Sequence, residues 1–123
     1  MLEERILVIS DDPELRELLR RHLAPDNYRL LYSRERGDNL GKTVDKAAPS
    51  LVILDISMQG IRGVETCLRL RQLADVPIIM LSAWDEEKAQ GFDPANDDYL
   101  SEPFEYAELK AQVKSALRRS IAG

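Results

Sequence analysis

A doubly wound α/β sandwich built on a five-stranded parallel sheet is the fold this sequence predicts. Three observations point to it. Short apolar runs recur along the chain, at Ile6–Ile9, Leu51–Leu54 and, after Pro77, Ile78–Leu81. Amphipathic stretches with apolar residues at helical spacing separate them. The alternation repeats five times within 123 residues, the length of a single domain with one layered core.

Each element has its own local reason. Arg5–Ile9 is a β-branched run and reads as a buried strand. Asp12-Pro13 follows as an N-cap with proline at the first helical position, and Leu15, Leu18, Leu19 and Leu23 then mark one helix face. Tyr28–Tyr32 is the second strand. Leu40–Lys46 is a weak helix, stopped by Ala47-Ala48-Pro49. Leu51–Leu54 is the third strand. Val64, Cys67 and Leu68 mark a third helix ending near Asp75, and Pro77–Leu81 is the fourth strand. A short helix fits Asp85–Gln90 before Gly91 and Pro94 interrupt it. Asp98–Ser101 is the fifth strand. Glu105–Ile121 is the strongest helix, with Leu109, Val113, Ala116 and Leu117 as its apolar stripe. Parallel strands joined by right-handed crossovers are covered on both faces. The flavodoxin-like order 2-1-3-4-5 is usual at this size, and it puts ligands at the carboxyl ends of strands 1 and 3.

Composition excludes several classes. The chain is 44% hydrophobic and 32% charged, which is too apolar for a disordered chain. No apolar run exceeds four residues, so no transmembrane helix is expected. The N-terminus carries Glu3 and Glu4 where a signal peptide is basic. Cys67 is the single cysteine, so there is no internal disulfide and no cysteine-based zinc cluster. A cytoplasmic location is expected. With 22 acids against 17 bases the net charge is −5, which disfavours direct binding to nucleic acid.

The chemistry collects at the strand ends. Strand 1 delivers Ser10-Asp11-Asp12, strand 3 delivers Asp55, strand 4 delivers Ser82, and strand 5 delivers Ser101-Glu102-Pro103. With strands 1 and 3 adjacent, Asp11 and Asp55 face one crevice. Neighbouring carboxylates repel, and a hard divalent cation such as Mg²⁺ relieves that repulsion. A carboxylate beside a metal also serves as a nucleophile that forms an aspartyl-phosphate.

Four stretches then resemble the response-regulator receiver domain of two-component signalling. They are Ile6–Pro13, Leu51–Asp55, Pro77–Ala83 and Asp97–Phe104, in order and at matching strand ends. The resemblance implies that Asp55 is the phosphoacceptor, phosphorylated by a sensor histidine kinase. It implies Mg²⁺ held by Asp11, Asp55 and the main-chain carbonyl of Ser57. Asp12 admits two roles, added charge at the metal or the helix N-cap, and its place before Pro13 favours the cap. Ser82 matches the hydroxyl that hydrogen-bonds the phosphoryl group. Tyr99 matches the aromatic switch residue, and a part-buried structural tyrosine is an equal reading.

Departures from the family pattern are as informative. Ser10 stands where the family has an acid. Glu102 replaces the lysine that pairs with a phosphoryl oxygen, so repulsion replaces attraction. Gln59 stands where a proline is usual, and Arg62 where an acid is common. Asp11, Asp55 and Glu102 leave a formal −3 in the pocket with no cation in the motif. Arg62 and Lys88 are candidate cations.

Two functions follow. The first is a phosphorylation-switched receiver in which Ser82 and Tyr99 remodel the face made by the fourth helix, fifth strand and last helix. It is a signalling domain, with at most self-catalysed phosphotransfer and dephosphorylation. The second is a degenerate pseudo-receiver acting as a binding or dimerisation module. A flavin-binding protein is disfavoured, because Asp11-Asp12-Pro13 would repel a phosphate. The last helix resembles that of receivers joined to winged-helix DNA-binding domains. There Asp97, Asp98, Glu108, Lys114 and Arg119 suit a symmetric homodimer face, and residues 120–123 fall where a linker to such an output domain begins.

Overall fold

The computed structural model describes residues 4–34, 39–55, 69–73, 75–83, 98–102 and 105–122; for 82–83, 98–102 and 119–122 it describes the backbone course. Five parallel strands form one sheet: β1 (Glu4–Ile9), β2 (Tyr28–Ser33), β3 (Leu51–Asp55), β4 (Ile78–Ala83) and β5 (Asp98–Glu102). Their order is β2-β1-β3-β4-β5, as expected for the flavodoxin-like fold. Among the described residues the α-helices are α1 (Pro13–Leu23), α2 (Leu40–Ala47) and α3 (Tyr106–Ala122), and residues 69–73 are also helical.

Strand alternation sorts the core into two layers. Ile6, Val8, Ile53, Ile79 and Leu81 face α1 and α3, meeting Leu15, Leu19, Leu23, Leu109, Val113, Ala116 and Leu117. Leu7, Ile9, Val52, Leu54 and Met80 face the other way, against Leu40 and Val44 of α2 and Leu70. Each fully buried aliphatic side chain contributes about 1.5–3 kcal/mol by leaving water.

Several expected boundaries shift. β1 starts at Glu4 and β2 runs to Ser33, because the ladder pairs Glu4 with Tyr28 and Ile9 with Ser33 beyond the apolar core. β3 includes Asp55. β4 begins at Ile78 because Pro77 has no N–H to donate, although its carbonyl accepts from Val52 N–H at 3.0 Å. β4 continues through Ser82 to Ala83, β5 through Ser101 to Glu102, and the last helix is shifted by one residue. Leu18 is half-buried, unlike its three leucine neighbours on α1. α2 ends as Ala48 turns into the left-handed region at φ 45°, just before Pro49. The Val64–Leu68 part of the third helix, Cys67 and the Asp85–Gln90 segment lie outside the described residues.

The N-cap of α1 fits its local sequence. Asp12 is extended, at φ −94° and ψ 107°, and its carboxylate accepts from Glu14 N–H at 3.0 Å. Asp12→Ala is expected to cost about 1 kcal/mol and to lower the unfolding midpoint by about 4 °C in thermal melts, with Asp12→Asn retaining most of the cap. The far end of α1 is tied to α3. His22 stacks on Tyr106 with ring centroids 4.0 Å apart, and Lys110 reaches Asp26 at 3.3 Å. On the other flank of α1, the Arg16 guanidinium lies 5.1 Å over the Tyr32 ring.

Candidate functional site

The site is built by sheet register. β1 and β3 pair in parallel with Ile9 opposite Leu54, so the next residues, Ser10 and Asp55, stand side by side at the carboxyl ends. Alternation continues to the strand ends. Ser10 shares the parity of Ile6 and Val8, and Asp55 that of Leu51 and Ile53, which all belong to one layer. Their side chains meet. The Ser10 hydroxyl donates to Asp55 Oδ2 at 2.8 Å, and both residues are buried, at 0% and 2% exposure.

Ser10 has two further bonds. Its Oγ accepts from Asp12 N–H at 3.1 Å, and its own N–H donates to the Ser33 carbonyl at 3.0 Å. A chain of donors therefore runs from the start of α1 through Ser10 to Asp55. Asp11 and Asp12 are exposed at the mouth of this site, with Asp12 engaged as the helix cap.

The other expected site residues fall at several places. Ser82 pairs with Ser101 and Glu102 with Ala83 across β4 and β5, which places both at the same end of the sheet as Asp55. Tyr99, the second residue of β5, is opposite Met80, and Asp98 begins that strand. Glu108 and Lys114 are exposed on α3, and the backbone of Arg119 belongs to the same helix. Ser57, Gln59, Arg62, Lys88 and Asp97 lie outside the described residues. One cavity of about 380 Å³, lined by residues of β1, β2 and α2 including Tyr32, Thr43 and Lys46, includes neither Ser10 nor Asp55 in its walls.

Sequence reasoning treated Ser10 as a missing acid and overlooked what the hydroxyl does. The available signal was its place one residue past β1, level with Asp55. The Ser10 hydroxyl and the carboxylates of Asp11, Asp12 and Asp55 at this end of the sheet are hard oxygen donors. Among the described residues no group of three His, Cys, Asp or Glu side chains converges to hold a metal. One or two carboxylates completed by carbonyl and water oxygens is the usual provision for Mg²⁺, and the buried Asp55 carboxylate has the donor chemistry for one of them.

Comparison with known proteins shows the family and the fold. The family model described as the response regulator receiver domain matches residues 6–114. The transcriptional regulatory protein ResD of Bacillus subtilis is 39% identical over 120 residues, covering 96% of this chain and 50% of that protein. The alkaline phosphatase synthesis transcriptional regulatory protein PhoP of the same organism is 35% identical over 122 residues, covering 97% and 50%. The chain thus spans about half the length of these relatives. Among solved structures, a putative response regulator from Chloroflexus aurantiacus superposes with a TM-score of 0.81 at 31% identity, covering 95% of this chain and 99% of that one. The BeF₃-activated N-terminal receiver domain of Klebsiella pneumoniae RstA superposes at 0.77 with 27% identity, covering 94% and 99%.

Proposed function

The chain belongs to the response-regulator receiver family of two-component signalling, and we propose that within it Asp55 accepts a phosphoryl group from a sensor histidine kinase. The observation that carries this reading is the buried Asp55 carboxylate, held at the carboxyl end of β3 by Ser10. In the transfer, an Asp55 oxygen bonds to phosphorus as the P–N bond of phosphohistidine breaks. The imidazole leaves with the electron pair, and an acyl phosphate remains on Asp55. Mg²⁺, when bound, neutralises charge between the carboxylates and the phosphoryl oxygens. Asp11, Asp55 and the carbonyl of Ser57 are the residues that would hold it. Ser82 would hydrogen-bond the phosphoryl group, and Tyr99 would respond to that bond.

The relatives named as transcriptional regulators are about twice as long. That supports an output domain acting on transcription beyond this segment, in the cytoplasm. Among the described residues no helix is long and apolar enough to cross a membrane. The exposed Glu108 and Lys114 support a homodimer face completed by Asp97, Asp98 and Arg119. A second reading, a binding or dimerisation module that works without phosphorylation, is favoured by Glu102 in place of lysine.

Intact-mass measurement after incubation with Mg²⁺ and acetyl phosphate separates the two. The expected result is a gain of one phosphoryl group, absent in Asp55→Asn and in EDTA. No gain on the wild-type chain would favour the second reading.

A further inference from the structure

We propose that Ser10 is a positioning residue for Asp55, a neutral hydroxyl that holds the acceptor carboxylate directly and spares the pocket the need for a cation to keep its shape. The inference rests on the phosphoacceptor reading and deepens it. A serine hydroxyl has one proton, and here it is directed to Asp55 Oδ2 at 2.8 Å. The Ser10 Oγ itself accepts from Asp12 N–H at 3.1 Å, which polarises the hydroxyl and strengthens its donation. Because Asp12 is also the N-cap of α1, the carboxylate is tied to the start of that helix as well as to β1.

An ionised carboxylate at position 10 would behave in the opposite way. It has no proton to donate, and it would sit level with Asp55 in a position that is 0% exposed. Two buried like charges are tolerated only with a cation between them or a proton on one of them. Ser10 removes one negative charge and supplies a donor in its place. The consequence is a site whose acceptor is already oriented in the metal-free protein. The cation is then needed for the phosphoryl oxygens rather than for the fold of the pocket.

The test compares the wild-type chain with Ser10→Ala, Ser10→Thr and Ser10→Asp. Phosphorylation rates are measured with acetyl phosphate at saturating Mg²⁺, and thermal midpoints in EDTA and in excess Mg²⁺ without phosphodonor. Ser10→Ala is expected to slow phosphorylation about tenfold through loss of orientation, and Ser10→Thr, which keeps the hydroxyl, to stay within about threefold of wild type. Ser10→Asp is expected to melt well below wild type in EDTA and to gain at least about twice as much from Mg²⁺ as wild type does. Wild-type rates in Ser10→Ala, or an Mg²⁺ response in Ser10→Asp no larger than that of wild type, would overturn the proposal. If Ser10→Asp does not fold, the Ala and Thr pair decides. If the wild-type chain takes up no phosphoryl group, the phosphoacceptor reading fails, and the midpoints alone decide whether Ser10 still holds Asp55.

Discussion

Glu102→Lys is expected to raise the ratio of phosphorylated to unmodified protein, at fixed acetyl phosphate and Mg²⁺, by about 30- to 100-fold. The physical reason is a reversal of charge sign at the position where the resemblance implies a lysine that pairs with a phosphoryl oxygen. Glu102 ends β5 level with Ala83, at the same end of the sheet as Asp55. Two unit charges about 4 Å apart in an effective dielectric of about 20 interact by about 4 kcal/mol, and screening by water reduces this to about 2–3 kcal/mol for the reversal. A lysine ammonium also donates hydrogen bonds to phosphoryl oxygens, which a carboxylate cannot do. The ratio is read from intact mass in a time course. An unchanged ratio would mean that charge at position 102 does not act on the acceptor.

The largest effect on stability is expected at Leu19. Leu19 is 0% exposed and packs in the layer shared by α1, α3 and the sheet, among Leu15, Leu23, Val8 and Val113. Leu19→Ala leaves a cavity that rigid neighbours on two helices and a sheet cannot close. The expected cost is about 3 kcal/mol, which for a domain of this size lowers the melting midpoint by about 10 °C. Leu73 is the internal control, because it is 42% exposed. Leu73→Ala is expected to stay within about 0.5 kcal/mol of wild type. Urea unfolding of both variants checks the contrast, with an unchanged slope showing that the unfolded state is not the cause. Equal losses at Leu19 and Leu73 would contradict the two-layer core.

What was legible in the sequence is what local chemistry determines. Asp12-Pro13 announces a helix start because capping involves residues two apart, and the Asp12–Glu14 bond realises it. The leucine spacing of α1 and the stripe of α3 were readable because burial follows helical period, and Leu15, Leu19, Leu23, Leu109 and Val113 are all buried. Strand order followed from the alternation of elements together with the family resemblance. Strand ends were less legible, because Glu4 and Ser33 join the sheet through partners on another strand. The site shows the same division. Asp55 was identifiable from its place after an apolar strand. The role of Ser10 was not, because it depends on the register of two strands, which brings together residues 45 positions apart. The family resemblance marks an acid as missing there; only strand pairing shows that a donor has taken its place.

The phosphoryl group is expected to reside on Asp55. The most direct test traps the adduct. The phosphorylated chain is reduced with borohydride, which converts an acyl phosphate on aspartate to homoserine, and the digested peptides are sequenced by mass spectrometry. Homoserine is expected at position 55 and at no other aspartate, with none formed when Mg²⁺ is withheld. Homoserine at Asp11 or Asp12, or an unmodified Asp55 under conditions that label another receiver, would contradict Asp55 as the acceptor.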